Sequence, residues 1–450
     1  MSLSEKYTLL RESSLYDRMF YCFHRLGVQS NILVSAEYSS HALCAVGVRL
    51  PSSSPGKHSL HHALLHKIDL QKCVVFMDGN QDTGVDPTLL ENTHNTWDWT
   101  DDEPDTPWWK VLVVGRKHVV FVYHHFVGDG ISGTVFHREF LAALNSLPLD
   151  SKPVPTQISL TYPSPVQYPL EPTEHSNVTA SIPRLLWKML VWYLLRLFFG
   201  GKLVFGDLPR PRPYAQSVVA KAVNTNRTIT RVSTDFYPQA KFGASRFAFD
   251  LRPYLPSAQF GDLVRSNVIM NAAAGSAHVH YMEPFRKAVA KYSGSNEKPD
   301  RVSLFRSTVW QLVREHKAKM DGDIYGSIRD WMAGTLIGAT IEDFVTSSMP
   351  RIGHFIGDTY LVSNLGPFSS TPKGVATTGD ANETWTIDDM QFSAAGTNGN
   401  VGSRSLVLNI AGVAGGDTII NASYEDGIMD RETVDAILQK AMEKLDWLLE

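Results

Sequence analysis

Cysteine is scarce in this sequence: the 450 residues contain three, Cys22, Cys44 and Cys73. Three thiols cannot build a disulfide framework in a chain of this length, and their spacing fits no structural metal site. Histidines cluster within residues 58–66, but no carboxylate or thiol stands at ligand spacing, so a helix surface is favoured over a metal centre. Residues 1–7 are polar and charged, and no signal peptide is visible. We therefore expect no metal and a cytosol-facing location.

The chain also has no strong excess of positive or negative charge. The formal net charge is −4, which gives no basic field for nucleic acid. Fingerprints of nucleotide binding are missing, because the glycine-rich residues 396–402 lie between predicted strands and indicate a loop. Hydrophobic residues make up 43% of the chain, which is enough for large cores and excludes wholesale disorder. The length favours two domains or one pseudo-duplicated fold, and we expect a monomer.

Apolar periodicity predicts mixed α/β structure for residues 1–150. Runs rich in β-branched residues, Lys110–Val114 and His118–Tyr123, flank a short glycine-containing turn and predict a hairpin. Other segments have the spacing of helices or of strands. Helices are predicted at Leu9–Leu26, His61–Ile68 and Ser132–Leu147, and strands at Asn31–Tyr38, Ala42–Leu50 and Cys73–Met77.

Proline changes the character of the chain after residue 150. Prolines recur through residues 151–183 and predict an extended linker, so we assign 151–213 to a linker with an apolar segment. A second α/β region is expected at 214–450. Its predicted strands are Arg246–Leu251, Thr359–Val362, Ser405–Ile410 and Thr418–Tyr424, and its last helix is Arg431–Leu449.

One short segment carries the chemistry, His124-His125-Phe126-Val127-Gly128-Asp129-Gly130, between the predicted hairpin and a predicted helix. A strand that ends here delivers His125 into a cleft, and the glycines let the backbone bend sharply. A neutral imidazole, with a reference pKa of about 6.5, can take the proton of a hydroxyl or amine that attacks a thioester. We predict His125 as the general base, and Asp129 as a structural residue that pairs with an arginine. The alternative is an ordinary strand-to-helix turn with Asp129 as a helix cap.

The pattern His124-His125-x-x-x-Asp129-Gly130 resembles the signature of the chloramphenicol acetyltransferase-like superfamily. That superfamily contains plant BAHD acyltransferases, peptide-synthetase condensation domains and fungal alcohol acetyltransferases. The resemblance covers most of the chain and continues, in the expected order, through residues 250–256, 363–366, 392–396 and 423–427. The fungal alcohol acetyltransferase-like branch fits best, because the plant-type Asp-Phe-Gly-Trp-Gly signature is absent.

The resemblance implies an α/β fold of two chloramphenicol acetyltransferase-like subdomains that meet along a substrate tunnel, each an α+β two-layer sandwich. It implies transfer of an acyl group from acyl-CoA, most simply acetyl-CoA, to a hydroxyl of a lipophilic alcohol or fungal secondary metabolite. No metal or redox cofactor is needed. Two alternatives stay open: condensation-type transfer from a carrier-protein thioester, and a catalytically inactive binding homologue.

The resemblance also implies roles for single residues. His125 is the base, supported by His124, and Gly130 keeps the cleft open next to the structural Asp129. Ser393 is the candidate hydroxyl donor to the oxyanion, with a plain strand-end serine as the alternative. Two residues carry weaker assignments: Asn364 either lines the substrate site or caps its own turn, and Arg252 is the candidate partner of Asp129.

The chain departs from the family pattern after Val232. Members of the family usually have a helical stretch of several dozen residues before the segment that begins at Asp250, whereas residues 233–249 fill that space here. Either this is a real deletion or coding sequence has been lost. The departure leaves the ancestry intact but supports the inactive homologue as an alternative.

An apolar block at residues 184–199 has its three charges, Arg184, Lys188 and Arg196, on one third of a helix circumference, with Leu, Trp, Tyr and Phe elsewhere. Such a helix suits peripheral, in-plane contact with an ER membrane or a lipid droplet, and basic charges would favour an anionic leaflet. The alternative is a helix that bridges the subdomains with its apolar side packed inward.

Overall fold

The computed structural model describes residues 7–25, 30–38, 61–65, 69–78, 85, 87–97, 99, 106–146, 172, 178–199, 242–256, 268–281, 283–284, 287, 299–336, 358–369, 385–396, 404–424 and 431–449. Some predictions fall outside these ranges. They are the strand at Ala42–Leu50, most of the proline-rich linker, and the shortened segment as far as residue 241.

Helices and strands are interspersed along the described chain. The helices are α1 (Leu15–Arg25), α2 (Leu70–Cys73), α3 (Pro87–Thr96), α4 (Gly130–Ser146), α5 (Ile182–Phe199), α6 (Pro299–Gly322), α7 (Ile324–Met332) and α8 (Arg431–Leu449). The strands are β1 (Tyr7–Glu12), β2 (Ser30–Tyr38), β3 (His61–Leu65), β4 (Val74–Met77), β5 (Trp109–Val114), β6 (His118–His124), β7 (Phe242–Asp250), β8 (Ala273–Tyr281), β9 (Asp358–Phe368), β10 (Ile387–Gly396), β11 (Arg404–Val413) and β12 (Thr418–Tyr424). Short 3₁₀ turns occupy Arg252–Tyr254 and Ala333–Leu336.

Two five-stranded sheets form the framework. The first has the order β10-β2-β6-β5-β4 and the second β12-β11-β9-β7-β8, while β1 and β3 form a separate two-stranded sheet. The predicted hairpin is confirmed as β5 and β6, which pair antiparallel. The α/β fold class is confirmed as well, because helices and both mixed sheets occur along the whole described chain.

Two predicted helices are wrong in part or entirely. The first part of Leu9–Leu26 belongs to β1, and the helix begins only at Leu15. His61–Ile68 begins with strand β3, which pairs antiparallel with β1. A segment this short carries an apolar spacing that fits either structure, and an isolated helix of its length is marginal. The strand partner therefore decides the conformation.

Strand β10 crosses from the C-terminal part of the sequence into the first sheet. It pairs antiparallel with β2, so that Phe392 lies opposite Val34 and Ser393 opposite Leu33. The other strands of that sheet come from residues 30–124. The sequence halves are thus joined by a shared sheet, whereas the domain limits at 150 and 213 stay predictions.

Each face of the first sheet is covered by a separate core. On one face, α4 packs Phe136 and Phe140 against Phe121 and Tyr123. On the other face, Trp99, Trp108 and Phe126 belong to a second buried cluster. Gly133 permits the close approach of α4, because a Cβ at this position would lie 2.2 Å from Val34 Cγ2. The sheet is therefore fixed from both sides at the end where β6 stops.

Candidate active site

His125 is the first residue after β6, and a backbone hydrogen bond and a ring stack hold it. Its backbone N–H donates to the Ser30 carbonyl at 2.8 Å, which ties it to the start of β2. Its ring stacks on Phe20 of α1 with the centroids 3.9 Å apart and the planes 13° apart. The residue is half-buried. The stack fixes the plane of the imidazole before any substrate arrives.

A further residue, Asn271, sets which nitrogen of His125 carries the proton. The Asn271 Oδ1 lies 3.2 Å from His125 Nδ1. The Asn271 Nδ2 donates to Asp17 Oδ1 at 2.8 Å, to the His125 carbonyl at 2.9 Å and to the Phe126 carbonyl at 3.3 Å. Since all three of these groups are acceptors, the amide orientation is determined and its oxygen faces the ring. His125 therefore carries its proton on Nδ1, and Nε2 keeps the lone pair.

His124 is placed differently from its neighbour. It is fully buried, and its Nδ1 accepts a hydrogen bond from the Phe126 N–H at 3.1 Å. The rings of His24 and Trp108 lie edge-on to it. Burial, followed by the charges of His24 and His125, holds the pKa of His124 well below its usual value. A neutral ring here accepts the Phe126 N–H within the turn, and the supporting role of His124 stays a prediction.

Asp129 and Arg252 form a two-pronged ion pair inside the protein. Arg252 Nη1 lies 3.0 Å from Asp129 Oδ2 and Nη2 lies 3.1 Å from Oδ1, with both side chains almost completely buried. The carboxylate also accepts from the N–H groups of Ala272 and Ser132 and from the Ser132 hydroxyl. Burial raises the pKa of Asp129, but the charge and hydrogen bonds of Arg252 outweigh it, so the pKa lies below its usual value.

Arg252 extends this network to the surrounding backbone. Its guanidinium also binds the Asp250 carboxylate at 2.9 Å, the Met270 carbonyl at 2.9 Å and the Val268 carbonyl at 3.2 Å. A planar guanidinium with five donors suits such a junction, and lysine would satisfy fewer of these acceptors. The loop after β6 is thus tied to Arg252 through Asp129 and to Asn271 through His125.

Gly130 begins α4 in tight packing. A Cβ there would lie 2.7 Å from Leu365 Cδ2 and 3.2 Å from Phe392 Cζ. Glycine at this position thus allows the side chains of Leu365 and Phe392 to approach the start of α4 closely. Whether the glycine also keeps a cleft open stays a prediction.

Ser393 lies on β10 and is completely buried. Its Oγ is 2.9 Å from Nε2 of His94 on α3, another fully buried residue. Burial lowers the pKa of His94 to about 3, so its ring is neutral. Ser393 lies opposite Leu33, which lies opposite Val122, so its row is three residues along β6 from His125. At ~3.3 Å per residue this is a separation of about 10 Å along the strand, and its oxyanion role stays a prediction.

Asn364 lies within β9, where the pairing with β11 is irregular, and its side chain bonds the neighbouring backbone. Its Oδ1 accepts from the Gly366 N–H at 2.8 Å, and Gly366 has a φ of 74°, in the left-handed region that favours glycine. The side chain is exposed. The contact is local to this irregular part of β9, and both the turn-capping role and the substrate-site role of Asn364 stay predictions.

Sequence reasoning missed three residues that contact or orient the candidate base: Phe20, Asp17 and Asn271. No motif surrounds Asn271, which is 146 positions away from His125 in the chain. A lone asparagine before a strand carries no pattern that could have identified it. Within the ranges that the structure describes, no group of three or more His, Cys, Asp or Glu side chains could hold a metal ion.

Comparison with known proteins points to one group of enzymes. The family model for alcohol acetyltransferases matches residues 61–191, which include the His125 segment. The probable alcohol acetyltransferase crmB of Aspergillus fumigatus is 29% identical over 143 residues, covering 29% of this chain and 30% of that protein. The probable alcohol acetyltransferase FCK4 of Fusarium pseudograminearum is 22% identical over 348 residues, covering 72% of this chain and 66% of that protein. The matched part thus spans about a third of one relative and about two thirds of the other.

The fold has a solved counterpart. The trichothecene 15-O-acetyltransferase TRI3 of Fusarium sporotrichioides superposes with a TM-score of 0.54 at 11% identity, covering 100% of this chain and 96% of that one. At this identity the match concerns the fold alone. Together with the family model and the relatives in sequence, this match supports a place for the chain in the chloramphenicol acetyltransferase-like superfamily, with similarity to the fungal alcohol acetyltransferases.

Proposed function

We propose that the chain is an O-acyltransferase that moves an acyl group from a coenzyme A thioester, most simply acetyl-CoA, to the hydroxyl of a lipophilic alcohol. The observation that carries the proposal is the fixed tautomer of His125. The Asn271 oxygen accepts a hydrogen bond from Nδ1–H, so Nε2 is the basic nitrogen of the neutral ring. The superfamily and the fungal relatives support acyl transfer as the reaction.

In the proposed reaction, His125 Nε2 takes the proton of the acceptor hydroxyl as the oxygen attacks the thioester carbonyl carbon. The C–O bond forms, the carbonyl becomes a tetrahedral oxyanion, and the imidazole becomes an imidazolium. Collapse of the oxyanion breaks the C–S bond, and the imidazolium returns its proton to the leaving thiolate. The products are an ester and free coenzyme A, so no further reactant is needed. General-base catalysis of this kind typically contributes ~10²–10⁴-fold.

Asn271 and Asp17 act in this proposal as positioning residues. The imidazolium is stabilised because its Nδ1–H points at the Asn271 oxygen, and the Asp17 carboxylate holds the amide from its other end. This is the arrangement of a base oriented by a second group, with an amide in place of the usual carboxylate. Phe20 adds the stacking contact that keeps the ring in the plane of the amide oxygen.

The test uses acetyl-CoA and a panel of lipophilic alcohols, with free thiol release and ester formation as paired readouts. His125→Ala should lose transfer by ~10²-fold or more, because the base is gone and little packing is lost. Asn271→Leu should lower kcat and shift its pH profile, because the imidazolium loses its oriented acceptor. The matched control is Asn145→Ala at the far end of α4, which removes two hydrogen bonds to the Trp385 backbone. Wild-type turnover by a folded His125→Ala variant would refute the proposal.

A further inference from the structure

Helix α5 turns its charged side toward the protein and its apolar side outward, the reverse of an ordinary surface helix. Its basic side faces the protein: Arg184 Nε lies 3.0 Å from Asp330 Oδ1, and Arg184 also binds Asp323. Lys188 binds Asp330 as well. At about 100° per residue, Arg184 and Lys188 stand about 40° apart on the helix. Ion pairs to α7 and to the residue before it therefore fasten the charged side of α5 to the body.

The opposite side of α5 is apolar and uncovered. Nine large apolar side chains on it are between 39% and 68% exposed: Ile182, Leu186, Trp187, Met189, Leu190, Tyr193, Leu194, Leu197 and Phe198. At about 100° per residue they occupy roughly half of the circumference. None of the described side chains within this arc is charged. Exposure of such an apolar surface to water is unfavourable, and contiguous apolar patches of this size mark interaction sites.

We propose that this apolar half of α5 inserts into the surface of a lipid layer, with the helix lying in the plane of that layer. The size of the surface favours lipid over a second protein. Eighteen residues make a rod ~27 Å long and ~10 Å wide, whose exposed half has an area of roughly 400 Å². A stable protein interface needs about 800 Å² from each partner. An in-plane helix that buries one apolar face in the headgroup region has this size and convex shape.

The composition of the arc also favours a lipid layer as its partner. Trp187 and Tyr193 combine an apolar ring with one polar atom, which suits the boundary between headgroups and acyl chains. Among the helices in the described ranges, none has the length and apolarity needed to cross a bilayer. An apolar half-cylinder that carries these rings suits insertion into one leaflet of a bilayer or into the monolayer of a lipid droplet.

The ion pairs change the expected lipid preference. From the sequence, the basic residues of α5 are free to attract an anionic leaflet. In the structure, Arg184 and Lys188 are already paired with Asp323 and Asp330. Binding should therefore depend on the apolar arc, and neutral vesicles should be bound nearly as well as anionic ones. This expectation is independent of catalysis, because it concerns a surface and a readout that need no substrate.

The experiment is co-sedimentation of the full chain with vesicles of phosphatidylcholine, alone or mixed with phosphatidylserine. The test variant carries Leu186→Gln, Leu190→Gln and Leu197→Gln at the centre of the arc, since glutamine keeps helix propensity. The matched control is Met442→Gln with Leu445→Gln, two exposed apolar residues of α8. Wild type and control should pellet with both vesicle types, and the triple variant should lose binding at least tenfold with an unchanged thermal melt.

Other outcomes overturn the proposal. Wild-type protein that stays in the supernatant with both vesicle types has no lipid-binding surface. Binding to anionic vesicles alone, released by salt, means that charge rather than the apolar arc is responsible. A lower melting temperature of the triple variant means that these side chains pack inside the protein. A wild-type dimer in gel filtration that the triple variant abolishes means that a second copy covers the arc.

Discussion

Replacement of Asp129 by asparagine tests whether this motif residue is structural or chemical. The change keeps the shape of the side chain and removes its charge. Five donor contacts converge on the carboxylate: on Oδ1 from Arg252 Nη2 and from the N–H and hydroxyl of Ser132, and on Oδ2 from Arg252 Nη1 and the Ala272 N–H. Whichever oxygen becomes the amide NH₂, at least two of these donors meet another donor.

The loss can be estimated in two ways that agree. Each buried donor left without an acceptor costs ~1–3 kcal/mol, so two cost about 2–6 kcal/mol. Removal of one partner of a buried ion pair typically costs ~3–5 kcal/mol. We expect Asp129→Asn to lower the free energy of unfolding by about 3–5 kcal/mol at neutral pH. Turnover should fall with it, because the loop that carries His125 loses its fixed position.

The pH dependence gives a second readout. Because the pKa of Asp129 is depressed in the folded state, its contribution is complete above the unfolded value of about 3.9 and is lost as the pH falls through the folded pKa. The stability difference between wild type and Asp129→Asn should therefore be constant near neutral pH and shrink in acid. Denaturant unfolding at a series of pH values measures it.

Asp250→Asn serves as the matched control. Asp250 uses a single oxygen to accept from the Arg252 N–H and from its Nη1, and an amide oxygen can accept both. Burial, partly offset by Arg252, raises the pKa of Asp250, so loss of its charge is tolerated. We expect a change within ~1 kcal/mol. If Asp129→Asn melts like wild type and differs only by a shifted pH–rate profile, Asp129 takes part in the chemistry and the structural assignment is wrong.

Two further predictions concern the first sheet. Ser393→Ala should lower kcat more than it changes KM for acyl-CoA if the hydroxyl stabilises the oxyanion; a rise in KM at constant kcat makes it a binding residue, and no kinetic change assigns it to the buried contact with His94. Gly133→Ala should cost ~1–3 kcal/mol in denaturant unfolding, because its Cβ would overlap Val34. Its control is Gly322→Ala, where a Cβ would meet no atom within 4 Å, and equal stability of the two variants would contradict the packing argument.

Most strands of the two sheets could be predicted from their apolar runs, whereas β8 and β10 were not predicted. The hairpin of β5 and β6 has β-branched residues on both sides of a glycine turn, and β12 and α8 begin and end where the pattern places them. Local composition is sufficient there, since each element buries one face along most of its length. The position of His125 at the end of a strand follows from the same pattern.

The elements whose conformation or packing was not predicted depend on partners far away in the chain. Strand β3 is a strand because β1 lies beside it, and β10 leaves its sequence neighbours to pair with β2. The direction of α5 is another example: its periodicity separates charged and apolar sides, but only Asp323 and Asp330 determine that the charged side turns inward. Periodicity gives the faces of an element and carries no information about which face its partner will cover.

The spacing of His125 and Asp129 acquires a physical reason once Asn271 is included. Met270 and Ala272, the neighbours of Asn271, are both held by the Asp129 network: the Met270 carbonyl accepts from Arg252 and Ser132, and the Ala272 N–H donates to Asp129. The backbone on both sides of Asn271 is thus held by hydrogen bonds, and the Asn271 side chain contacts His125. An aspartate four residues after the histidine reaches the backbone that presents the amide to the imidazole. We propose that Asp129 acts on His125 through the position of Asn271 rather than by contact with the imidazole ring.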